Sequence, residues 1–258
     1  MSVVIRNLTT GYPSRHGYIE IARDINATLH SGELTCLLGP NGAGKSTLLR
    51  TLSGFLPPIK GTITIDGVEL RSYSGVELAK KLSVVLTEKP DVTSMTVEQL
   101  VSLGRSPYTG FWGRLTGQDS KVVMQAMEMA HVTHMSHRLV NTLSDGERQK
   151  VMIAKALAQE TPVILLDEPT AFLDFMSKVE TMVLLKRLAH EQKKTIFQST
   201  HDVNMAIQIA DKLWLIDKRI GISIGTPAEL AESGELERYF SGPGIRFNHS
   251  TGLFDITA

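Results

Sequence analysis

Short aliphatic runs alternate with stretches of helical period along most of this chain, and that alternation predicts a layered sheet. Residues 34–38, 82–86 and 163–166 are apolar runs of strand length, and residues 195–199 and 212–216 also read as strands. Residues 45–52, 176–191 and 203–210 carry helical patterns, and Thr226-Pro227 opens a further helix with proline at its first position. Residues 62–65 alternate, and Asp66-Gly67 after them is a hairpin signal. Residues 3–29 read as strands and turns, with Gly11-Tyr12-Pro13 as a break. His30-Ser31-Gly32 turns the chain into the next strand, and Pro57-Pro58 ends the helix that follows. Strands followed by helices predict a mainly parallel sheet, here with an N-terminal antiparallel strand region. Residues 241–258 have mixed polarity, and no period assigns them.

The pattern changes between residues 96 and 143. Thr96-Val97-Glu98-Gln99 is a capping box, and residues 118–130 place Val123, Met127 and Ala130 on one helical face beside Ala126. Between these helices lies a loop of glycine, proline and aromatic residues from Gly104 to Gly113. The block therefore reads as an α-helical lobe inserted into an α/β chain. The expected division is a core of residues 1–87 and 144–225, a lobe of 88–143, and a C-terminal helix and tail of 226–258, all in one domain.

Composition narrows the classes. The chain has 258 residues, with 27 basic and 27 acidic side chains and a formal net charge of zero. Such a balance argues against a nucleic-acid partner. No apolar run reaches membrane-spanning length and no charged-then-apolar leader is visible, so a soluble cytosolic chain is expected. Cys36 is the one cysteine and sits in a strand pattern, which suits core packing in a reducing compartment.

The candidate chemistry centres on Gly39-Pro40-Asn41-Gly42-Ala43-Gly44-Lys45-Ser46-Thr47, which fits the phosphate-cradling P-loop pattern. Chance produces that pattern roughly one per cent of the time in a chain of this length, and the flanking strand and helix lower this further. Glycines let backbone N–H groups turn toward a phosphate, and the helix N-terminus adds its positive end. Lys45 supplies a charge for the terminal phosphates, and Ser46 a hydroxyl for Mg²⁺. Asp167-Glu168 closes an aliphatic strand, which puts carboxylates at the crevice where nucleotides bind. Asp167 suits Mg²⁺ held through water, and Glu168 suits polarising an attacking water. An ordinary acidic turn would look the same in isolation; the P-loop upstream favours the catalytic reading. Leu143-Ser144-Asp145-Gly146-Glu147-Arg148-Gln149 fits a helix start with an S-x-x-E capping box, and equally a phosphate site at Ser144 and Gly146.

The ordered set of these segments resembles the ATPase subunit of ABC transporters. Residues 143–149 stand in place of an LSGGQ-type signature, and residues 163–168 resemble the Walker B strand. Ala171-Phe172-Leu173-Asp174 resembles the D-loop, and Ser199-Thr200-His201-Asp202 the switch-histidine segment. The resemblance runs from about residue 3 to about residue 230 and implies a P-loop NTPase core of RecA type. It further implies a homodimer that sandwiches two ATP molecules, each between one P-loop and the partner's Ser144 and Gly146. His201 would contact the γ-phosphate, Asp174 would belong to the nucleotide site, and Tyr12 would stack on adenine. The implied partners are integral membrane permease subunits at the cytoplasmic face of the inner membrane, with a substrate-binding protein linked indirectly. Residues 95–108 and Asn204-Met205-Ala206 resemble the group serving iron-siderophore, haem and cobalamin importers.

Two departures stand out. Asp145 occupies a signature position where glycine is usual, and the Q-loop glutamine is absent. Gapless comparison puts Thr87 at the latter position and a one-residue shift puts Glu88 there; Glu88 suits an Mg²⁺ ion and Thr87 does so weakly. Alternatives are a non-transport ABC ATPase or a nucleotide-binding regulator that has lost hydrolysis. One cassette without a coiled-coil insertion argues against the first, and the presence of Glu168 and His201 against the second. Tyr108, Phe111 and Trp112 in the lobe loop are expected at the membrane-subunit interface.

Overall fold

The computed structural model describes residues 2–15, 17–87, 94–110 and 113–257. Strands β1 (Ser2–Ser14) and β2 (Gly17–His30) form a long antiparallel hairpin. The chain then enters β3 (Leu34–Leu38), the P-loop and α1 (Lys45–Leu52). Helix α1 stops well before Pro57-Pro58: Ser53 caps it and Gly54 follows at φ 79. A left-handed glycine after the last turn ends the helix locally, so the prolines are not the terminator. Strands β4 (Lys60–Ile65) and β5 (Val68–Glu69) complete a four-stranded antiparallel sheet, order β2-β1-β4-β5. Asp66 and Gly67 join them, both at positive φ, as the hairpin signal predicts.

Gly11-Tyr12-Pro13 does not break the chain, contrary to expectation. It continues β1, paired with Glu20, Ile19 and Tyr18 of β2. Two local features allow this. A Cβ on Gly11 would lie 2.0 Å from the Ile19 carbonyl oxygen, so only glycine fits the close pairing. Pairing of β1 with β4 ends at Thr9, so Pro13 lies on a stretch paired through β2 alone among the described residues, where a missing N–H costs little.

The second sheet has six strands. After α2 (Gly75–Ala79) come β6 (Leu82–Val85), the lobe helices α3 (Val97–Ser102) and α4 (Gly117–Met129), and α5 (Asp145–Ala158). Then follow β7 (Val163–Leu166), α6 (Phe175–Gln192), β8 (Thr195–Thr200), α7 (Val203–Ile209), β9 (Lys212–Asp217) and β10 (Gly221–Gly225). The order is β10-β9-β3-β8-β7-β6, parallel except for β10 on one edge. Alternate strand residues feed two cores. Leu34, Cys36, Leu38, Ile164 and Leu166 pack with α5, α6 and the lobe helices. Leu37, Val163, Leu165, Phe197 and Trp214 pack with α1 and the antiparallel sheet. Cys36 is a core residue whose thiol burial pushes up to about 12, which leaves it unreactive.

The lobe helices start at capping boxes on Thr96 and Thr116. Val123, Ala126, Met127 and Ala130 are buried, as their spacing predicts. Arg105 is buried between Asp119 (2.9 Å), Glu160 (2.6 Å) and the Ala158 carbonyl (2.8 Å). The Tyr108 ring lies 4.0 Å from the Arg105 guanidinium, and its hydroxyl donates to the Gln159 carbonyl. Tyr108 thus packs on its own chain; Phe111 and Trp112 lie outside the described residues. Helices α8 (Pro227–Glu232) and α9 (Glu235–Phe240) lead to a hairpin of β11 (Ile245–Asn248) and β12 (Leu253–Ile256), the segment that no sequence period assigned. Asn204 on α7 binds both backbone groups of Phe254 and ties this tail to the core. No helix among the described residues is long and apolar enough to cross a membrane.

Candidate active site

The P-loop follows directly from the packing of β3 against β9. A Cβ on Gly39 would lie 2.2 Å from the Ile216 carbonyl oxygen, so the turn can leave the sheet only at a glycine. Gly42 and Gly44 take φ of 78 and 109, conformations that other residues rarely adopt. Helix α1 has no side-chain cap, so its first N–H groups stay available to an anion. Lys45 is buried, and its ammonium donates to the carbonyls of Gly39 (2.8 Å) and Pro40 (3.3 Å).

Strand β7 brings the two carboxylates to the same edge. Asp167 Oδ1 accepts from Ser46 Oγ at 3.3 Å and from Ser199 Oγ at 2.6 Å. Glu168 points the other way: Oε1 is 3.8 Å from Lys45 Nζ, and Oε2 is 3.6 Å from His201 Nδ1. Glu168 holds φ 47, a left-handed conformation that costs a non-glycine residue roughly 1–2 kcal/mol. A cleft of about 340 Å³ is lined by Gly39, Pro40, Asn41, Glu168 and His201. A larger, mainly apolar groove of about 790 Å³ runs between α6, α7 and the C-terminal hairpin; His201, Val203 and Phe240 line both it and the smaller cleft.

Tyr12 reaches the same region from β1. Its hydroxyl shares a hydrogen bond with Thr47 Oγ1 at 3.0 Å, and the residue is 38% exposed. Ala43, within the loop, is buried. An aromatic face beside the P-loop helix is available to a purine.

Gly146 and Asp174 meet at Ser177, at the starts of α5 and α6, and Asp145 beside Gly146 lines a small pocket with Thr87 and Glu168. Ser144 is the exposed N-cap of α5, and its box with Glu147 is complete. The Ser144 backbone N–H, then Arg138, hold the Glu147 carboxyl below its ordinary range. Gly146 packs against Ser177, whose Oγ would be 2.7 Å from an added Cβ. Asp174 caps α6 by accepting from Ser177 N and Oγ at 3.0 and 2.8 Å, which holds its own carboxyl low. Among the described residues none of Ser144, Gly146 and Asp174 hydrogen-bonds or pairs with residues 39–47.

Thr87 is placed just past the end of β6, where its hydroxyl donates to the Asp167 carbonyl at 2.6 Å. Glu88 lies outside the described residues. Ser199 joins the cluster around Asp167 although sequence reasoning did not select it as a site residue; its signal is its place at the head of the switch-histidine segment, two residues before His201. Ser46 and Asp167 give two hard oxygen donors at one strand end, a set that fits Mg²⁺.

The ABC transporter family profile matches residues 22–171. This chain belongs to the ABC transporter family. It is an ABC-type ATPase cassette with a P-loop NTPase fold. An uncharacterised ABC transporter ATP-binding protein of Methanocaldococcus jannaschii is 38% identical over 97% of this chain and 85% of its own length. The achromobactin transport ATP-binding protein of Dickeya dadantii is 37% identical, over 93% and 88%. The ferric enterobactin transport ATP-binding protein of Escherichia coli is 35% identical, over 90% and 84%. Among solved structures, an inward-facing metal-chelate-type ABC transporter matches with TM-score 0.79 and 31% identity, over 93% of this chain and 88% of that one. A dimeric ATP-binding cassette bound to ADP and Pi, in a post-hydrolysis state, matches with TM-score 0.72 and 30% identity, over 84% and 94%.

Proposed function

We propose that this ABC cassette hydrolyses ATP to drive an importer of metal chelates, with iron-siderophore complexes as the cargo class. The observation that carries the reading is the convergence of Lys45, Glu168 and His201, with Glu168 carboxylate oxygens 3.8 Å from Lys45 Nζ and 3.6 Å from His201 Nδ1. Relatives named for achromobactin and ferric enterobactin transport support the cargo class.

In this reading the P-loop N–H groups and Lys45 bind the terminal phosphates of ATP, and Tyr12 stacks on the adenine. Lys45 exchanges its carbonyl acceptors, Gly39 and Pro40, for phosphate oxygens. Glu168 then orients a water and takes its proton, while His201 donates to the γ-phosphate. Ser46 and Asp167 would hold Mg²⁺, which neutralises charge on the phosphates.

Ser144 and Gly146 would act on the nucleotide of a second copy. That neither bonds to residues 39–47 among the described residues supports this, as does the exposed apolar run beside Asp174: Phe172 is 78% exposed, and Phe175 and Met176 are also exposed. The homodimer would sit on permease subunits at the cytoplasmic face of the membrane. Sizing the Glu168→Gln chain with and without ATP tests the pairing, with a nucleotide-dependent dimer expected. Uptake of labelled ferric siderophore by cells lacking this chain tests the cargo, with loss of uptake expected and restoration on complementation.

A further inference from the structure

The peptide unit between the two catalytic carboxylates is gripped from both sides. Its carbonyl, on Asp167, accepts from Thr87 Oγ1 at 2.6 Å. Its N–H, on Glu168, donates to Ser199 Oγ at 2.9 Å. The two hydroxyls come from just past the end of β6 and from β8, the strands that flank β7 in the sheet. Ser199 is fully buried and fully used, since its own proton goes to Asp167 Oδ1 at 2.6 Å. We propose that Thr87 and Ser199 form a clamp on the Asp167–Glu168 peptide and are positioning residues for hydrolysis.

The need for a clamp is visible in the backbone. Glu168 stands at φ 47, in a region that a non-glycine residue keeps only when its surroundings over-determine it. That conformation is what turns successive side chains apart, Asp167 toward Ser46 and Glu168 toward Lys45 and His201. Removing either hydroxyl frees one end of the peptide plane to rotate. The Glu168 carboxylate then swings away from the water it must orient, while the P-loop is untouched. Thr87 therefore serves the site through the peptide, its proton committed to the Asp167 carbonyl.

The inference rests on Glu168 as the residue that polarises the attacking water. The purified full chain is assayed for kcat and KM, for ATP affinity in EDTA, and for melting temperature. Thr87→Ala and Ser199→Ala are each expected to lower kcat roughly ten- to a hundred-fold, the scale of a small misplacement of a reacting group. KM and ATP affinity without metal should stay at wild-type values, as should the melting of Thr87→Ala, whose side chain is exposed; Ser199→Ala, which leaves buried groups unpaired, should melt lower. Thr87→Ser, which keeps the hydroxyl, should keep turnover within about two-fold. In a Glu168→Gln background neither alanine variant should slow the residual single-turnover rate further. Wild-type kcat in both alanine variants, equal losses in Thr87→Ser and Thr87→Ala, or additive losses on Glu168→Gln would each overturn the clamp. A loss of kcat in Thr87→Ala accompanied by a matching loss of melting temperature, or a loss of EDTA affinity in either alanine variant, overturns it too. Wild-type hydrolysis by Glu168→Gln alone would instead remove the underlying role of Glu168, a distinct failure.

Discussion

Lys45 Nζ lies 3.8 Å from Glu168 Oε1, yet its shortest hydrogen bonds go to the carbonyls of Gly39 and Pro40. The buried ammonium is thus kept satisfied by the backbone of its own loop. Lys45→Ala removes a charge-assisted contact of about 1.5–3 kcal/mol, a ten- to hundred-fold loss of ATP affinity. Calorimetric titration with ATP checks this, and unchanged affinity would argue against a phosphate contact.

Tyr12 offers a ring and a hydroxyl with separable roles. Tyr12→Phe loses the 3.0 Å bond to Thr47 but keeps the stacking face, so ATP affinity should change little. Tyr12→Ala should lose about 1–3 kcal/mol of base stacking. Equal effects of the two variants on fluorescent-nucleotide binding would show that the ring does not face the base.

Acid stability should report the lobe. Thr116 side-chain and backbone hydrogen bonds, then Arg105, hold the Asp119 carboxyl at about 2 against an ordinary value of 3.8. A depressed folded value means stability that is complete above the ordinary value and lost as pH falls from about 3.8 toward 2. Asp119→Asn should therefore melt below wild type at pH 6, and the gap should narrow as the pH falls through that window. A gap independent of pH would place the effect elsewhere.

Asp145 sits in the first turn of α5, where the helix N-terminus favours a carboxylate. Asp145→Gly should consequently change turnover less than about three-fold, because the charge is compensated where it stands. A large gain in steady-state ATPase rate would mark Asp145 as an inhibitory charge.

Several of these residues were legible in the chain before its fold was known. The P-loop, Asp167-Glu168 and the capping boxes are local patterns whose spacing carries their physics. The Ser177 cluster was not legible, because Gly146 and Asp174 meet there through the packing of α5 on α6. The C-terminal hairpin depends on Asn204, some 50 residues away in sequence. Gly11-Tyr12-Pro13 read as a break because turn residues also serve where one strand passes close to another. Ser199 stands in the switch-histidine segment and Thr87 at the Q-loop position, but neither motif gives them a shared target; the adjacency of β6, β7 and β8 does.

The most direct test of the account is phosphate release by the purified chain against its Glu168→Gln variant, at saturating ATP and Mg²⁺. The substitution keeps the shape of the side chain and removes the base, so ATP affinity should hold while hydrolysis falls at least about a hundred-fold. Equal rates in the two proteins would contradict the assignment of Glu168 and the hydrolytic mechanism built on it.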